Sequence, residues 1–192
     1  MHATNSLAQS YLQHILIATT AGDRSAPFRT FFDNWFAFKV AGPFLNTNSR
    51  PHWFNNPCPD KHGAALSRAH FVSAGAARTL AGIERQRLVK DHAIPVTVLR
   101  ELLIRSEPES LSDVHAMMLD YYRIGIITQG EDELLRQAGL KSSMPDAWLV
   151  GDDPFARYRA VGILSQDLGR QGWAANAAGA RTIRHPIAKI GL

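Results

Sequence analysis

The chain predicts an α+β fold, predominantly α-helical with a small two- or three-stranded sheet, and three observations predict it. Apolar residues recur at helical spacing along most of its 192 residues, two short apolar runs read as strands, and capping patterns stand where helices should begin. A composition that is 45% hydrophobic and 20% charged belongs to a chain that buries a core.

Residues 6–20 carry Leu7, Tyr11, Leu12, Ile15 and Leu16 on one helical face, with Asn5 or Ser6 as cap. A turn over 22–26 follows, and Pro27 opens a helix over 28–40, where Phe31, Phe32, Trp35, Phe36 and Phe38 crowd together before Gly42-Pro43 stops it. Residues 42–63 are rich in Asn and Pro and predict a long loop, of the kind that binds something or stays disordered. Residues 64–83 are alanine-rich, with Leu66, His70, Phe71, Ala74, Ala77 and Leu80 in helical phase, so a helix ending at Gly82 is expected and His70 reads as a core histidine.

Residues 88–93 form the first predicted strand, and Pro95 then starts a helix with Val98, Leu99, Leu102 and Leu103 inward. Ser110-Leu111-Ser112-Asp113 resembles a capping box and opens a helix to Tyr122, burying Leu111, Val114, Met118 and Tyr121 or Tyr122. Residues 123–128 make the second strand, paired with the first, and Thr128-Gln129-Gly130-Glu131 caps a helix over 132–138 closed by Gly139. Asp153-Pro154 starts a short helix to Val161; Trp148, Phe155 and Tyr158 are expected to pack against the core, while Arg157 is a candidate for reaching a phosphate. Residues 1–168 read as a single globular domain and residues 169–192 as a basic C-terminal tail whose weak periodicity fits partial disorder. No internal repeat is found.

Net charge is +4, but it is segmented: residues 1–90 carry +6, residues 91–167 carry −6 and residues 168–192 carry +4. Basic segments suit phosphates and an acidic middle suits metal ions or a basic partner; the plainer alternative is the solvated surface of a protein of pI 9.5. Apolar runs fall far short of the roughly 20 residues of a membrane span, so no membrane association is expected. The N-terminus lacks a basic start, which argues against a signal peptide, and the lone Cys58 fits a reducing cytoplasm. His52, Cys58, Asp60 and His62 match no zinc or iron spacing, and no P-loop, dinucleotide-binding glycine pattern or G-x-S-x-G occurs.

Chemistry concentrates in Leu88-Val89-Lys90-Asp91-His92-Ala93-Ile94-Pro95, where a strand end presents a carboxylate beside an imidazole. An Asp can hold a divalent cation through oxygen, and a neighbouring His titrates near neutral pH and can take a proton from water. Asp91-His92 followed by an apolar pair and Pro95 resembles the D-H-x-x-P motif of HNH endonucleases, the His-Me finger superfamily, over about five residues. The resemblance implies a metal-dependent nuclease in which Asp91 binds Mg or Mn and His92 deprotonates the attacking water. That family has further Asn or His ligands downstream; here the candidates are Asp113, His115 and Asp120, of which His115 is taken as the second metal ligand. Arg68, Arg78, Arg85, Arg87, Lys90 and Trp53 are the candidate nucleic-acid contacts.

Against this stand a structural role for Asp91 and His92 as a pair capping the following helix, and a non-catalytic function. The latter is a nucleic-acid-binding or protein-interaction module, for instance an accessory or inhibitory protein of a mobile element, needing no cofactor.

Overall fold

The computed structural model describes residues 2–41 and 69–164. The expected loop with His52, Trp53, Cys58, Asp60 and His62, the expected phosphate ligand Arg68 and the C-terminal tail lie outside the described residues. Seven helices and three strands are described, a mostly helical α+β fold as expected. No described helix is long and apolar enough to cross a membrane.

Helices α1 (His2–Thr20) and α2 (Phe28–Ala41) form a tightly packed pair joined by a short turn, in which the Asp23 carboxylate accepts the Ser25 N–H at 2.9 Å. Ala8, Leu12, Ile15 and Ala18, spaced by three or four, make one buried stripe on α1 and meet Phe28, Phe32, Trp35 and Phe36 of α2. Strand β1 (Phe71–Val72) leads into α3 (Ala74–Leu80); β2 (Leu88–His92) is followed by α4 (Val96–Ser106) and α5 (Leu111–Tyr121); β3 (Ile124–Thr128) runs straight into α6 (Gln129–Gln137), and α7 (Ala156–Ala160) comes last. Both expected capping boxes are present, Ser110 with Asp113 and Thr128 with Glu131.

Within residues 69–83 one expectation fails and another holds only in part. The chain there is strand then helix, not one helix, because Ser73 breaks the run: its hydroxyl accepts the Ala76 N–H at 3.0 Å and donates to Glu131 at 2.6 Å. His70 precedes the strand and is partly exposed to solvent, yet its ring packs on the core residue Phe36, centroids 5.1 Å apart, and its Nδ1 accepts the Ile124 N–H at 3.0 Å.

The sheet has the order β1-β3-β2, with β3 parallel to β1 and antiparallel to β2. Every residue of the central β3 is buried, which explains its unbroken apolar run. Ile124 and Ile126 face the main core of α1, α2, α4 and α5, whereas Ile127 faces a second core built from Leu135, Tyr158 and Leu164. Phe155 and Tyr158 pack in the second core and Trp148 against the first, as the sequence suggests.

Gly125 makes this second core possible. A Cβ there would lie 2.5 Å from the Tyr158 hydroxyl and 3.0 Å from its ring, so only glycine lets that ring lie on the sheet. Gly125→Ala is expected to destabilise the fold by about 1–3 kcal/mol through overpacking, read as a lower urea midpoint with an unchanged slope. An unaltered midpoint would mean that Tyr158 moves aside freely.

Candidate functional site

Neighbouring side chains on a strand point to opposite faces, and that rule parts Asp91 from His92. In the β2–β3 register Asp91 lies opposite Gly125 and His92 opposite Ile124. Asp91 therefore enters the second core, and His92 turns toward the main one.

His92 is buried, and its Nε2 donates to Asp33 Oδ1 at 2.7 Å. The same carboxylate accepts the Tyr122 hydroxyl at 2.7 Å and the Lys90 ammonium at 3.0 Å. Burial pushes the Asp33 carboxyl up, but His92, Lys90 and Tyr122 outweigh it and hold the value at about 2. Tyr122 is driven the other way by burial and by Asp33, so it stays a phenol and a donor. Lys90, a candidate phosphate ligand, is thus paired with Asp33, and its side chain is only 15% exposed. The sequence does not single out Asp33. Its one signal is a carboxylate inside the aromatic run of α2, since a buried carboxylate demands donors.

On the other face, Asp91 Oδ2 accepts Nη2 of Arg157 and, at 2.9 Å, the Tyr158 hydroxyl. Arg157 is wholly buried and also donates to four backbone carbonyls: Ala93 at 2.9 Å, His92 at 2.8 Å, Lys141 at 3.1 Å and Leu140. A guanidinium with its donors so occupied has none to offer a phosphate, which corrects the expectation for Arg157. Nor does Asp91 cap α4, whose N-terminus has Pro95 in the cap position and no side-chain cap bond.

The backbone at the end of β2 opens on a shallow cleft of about 90 Å³ lined by Arg29, Asp91, His92, Pro95, Val96, Thr97, Lys141 and Ser142. Thr97 Oγ1 donates to the Ser142 carbonyl at 3.1 Å and ties its two lips together. Two cations and a helix N-terminus without a side-chain cap meet here, with His92 at the border and the Asp91 carboxylate answered by Arg157, a setting that favours an anion. Lys141 leans on Asp132 at 3.3 Å, but that ion pair is exposed and gives way at little cost. The cleft's volume is well below the roughly 300–1,000 Å³ of ligand sites and leaves room for a phosphate group with little else.

Among the described residues the expected metal ligands do not come together. Among the described residues no group of three or more His, Cys, Asp or Glu side chains is placed to hold one. His115, the expected second ligand, packs edge-on against Trp35 on the main-core side of the sheet, 6.0 Å between ring centroids, whereas Asp91 faces the other side. Asp113 is used in the capping box of α5.

Among the other residues expected to meet nucleic acid, Arg78 pairs with Glu84, and Arg85 and Arg87 are exposed ahead of β2. At about 3.3 Å per residue, the strand sets Arg87 roughly 16 Å from His92. The sequence thus points to His92 beside the cleft but not to Arg29 and Lys141, which come from α2 and from the loop after α6. No protein-family model, no curated protein and no solved structure matches the chain.

Proposed function

We propose that the cleft at the end of β2 takes a phosphate of a nucleic acid and that His92 serves there as proton acceptor in phosphodiester hydrolysis. The observation that carries this reading is the convergence of Arg29, Lys141, the N-terminus of α4 and His92 on one cleft. The cations neutralise phosphate charge, the hydroxyls of Thr97 and Ser142 border it, and the imidazole takes a proton from the attacking oxygen. Arg85 and Arg87 extend the basic surface along the strand for neighbouring phosphates. Asp91 is a structural partner of Arg157 in this reading, and no step passes through a resident metal.

A second reading is a purely binding module, and the burial of the His92 ring favours it. A cleavage assay on single-stranded RNA and DNA, with and without magnesium, manganese or chelator, separates the two. Cleavage that disappears in His92→Ala, with circular dichroism unchanged, supports hydrolysis. Salt-sensitive binding without cleavage under any condition supports the second reading and ends the first. Arg29→Ala with Lys141→Ala should weaken oligonucleotide binding and flatten log K against log salt by about 0.7–0.9 for each phosphate that is no longer neutralised. An unchanged slope would place the phosphate elsewhere.

A further inference from the structure

We infer that Asp33, 59 residues before His92 in the chain and on a different element, is the positioning residue that decides which nitrogen of His92 carries the proton and which is left basic. The inference rests on the hydrolytic reading of the cleft.

A neutral imidazole carries one proton, and the partner of one nitrogen fixes the role of the other. Asp33 Oδ1 lies 2.7 Å from Nε2 and is itself held by the Tyr122 hydroxyl at 2.7 Å, while Lys90 reaches the second carboxylate oxygen at 3.0 Å. With three donors converging on it in a buried site, this carboxylate stays ionised and keeps the ring proton on Nε2. The ring is also fixed in plane by Tyr122, edge-on with centroids 5.6 Å apart. Among the described residues Nδ1 has no hydrogen-bond partner, and His92 lines the cleft.

Nδ1 is therefore the basic nitrogen available to a ligand. In the reaction the attacking hydroxyl or water gives its proton to Nδ1 as its oxygen bonds to phosphorus. The P–O bond on the far side breaks, and the departing oxygen takes a proton from solvent. Asp33 never touches the substrate; it orients the ring and stabilises the imidazolium that forms.

The test is nitrogen-15 NMR of the histidine rings in the full chain, with His92 assigned by the absence of its signals in His92→Gln, alongside cleavage of single-stranded RNA and DNA oligonucleotides. The wild type should show neutral His92 protonated on Nε2, with Nδ1 the nitrogen shifted by a bound oligonucleotide. Asp33→Asn should lose that preference and cleave about 10²-fold more slowly or worse, as expected when a general base is lost, and Asp33→Glu should recover part of the rate. A wild-type His92 protonated on Nδ1 overturns the inference, and this needs no variant to fold. A folded Asp33→Asn with unchanged tautomer and rate overturns it equally. Wild-type protein with the Nε2 proton that cleaves neither nucleic acid instead sinks the hydrolytic reading on which the inference depends.

Discussion

Arg157→Leu should destabilise the protein by about 3–5 kcal/mol, the range for removing one partner of a buried ion pair. The leucine fills most of the space but donates nothing. Asp91 keeps a charge answered only by Tyr158, and the carbonyls of His92, Ala93, Leu140 and Lys141 lose their donor inside the second core. Arg157→Lys should recover only part of the stability, because an ammonium has three donors and no planar fork. Urea unfolding measures both. Domains are typically stable by about 5–15 kcal/mol, so the leucine variant should unfold at a much lower midpoint. A decrease under about 1 kcal/mol would mean that water replaces the guanidinium. In a double-mutant cycle with Asp91→Asn, strong coupling is expected, since the two groups are bonded to each other.

Acid should unfold the wild type more readily than Asp33→Asn, relative to each protein's own stability at neutral pH. The Asp33 carboxyl is held at about 2 in the fold against 3.8 for an unperturbed one. A depressed folded value means that the contribution is complete above about pH 4 and disappears as pH falls toward 2. The difference is worth about 2 kcal/mol at 1.36 kcal/mol per unit. Burial of the group keeps that figure from being eroded by solvent. Asp33→Asn should be less stable at pH 7, because the ammonium of Lys90 loses its counter-charge, and its stability should fall less between pH 4 and 2. Other carboxylates with lowered values, such as Glu84 and Glu101, are common to both proteins, so the comparison isolates Asp33. Parallel pH curves for the two would contradict the assignment.

Much of the fold is legible because its signals are local. Apolar spacing marks α1, α2, α4 and α5, the boxes at Ser110 and Thr128 mark two helix starts, and the apolar runs of β2 and β3 mark a strand pair. What fails depends on distant chain. Phe71 and Val72 sit in an alanine-rich stretch with helical phase, yet pairing with Gly125 and Ile126 makes them a strand. For the candidate site, adjacency in sequence misleads: Asp91 and His92 are neighbours whose side chains belong to different cores. Their true partners, Arg157 and Asp33, lie 66 and 59 residues away, and no spacing rule connects them.

That parting of neighbours has a mechanical meaning. One peptide unit anchors two separately packed halves, so a ligand seated at the strand end would brace both at once. Amides in the two halves should then gain protection from hydrogen exchange together.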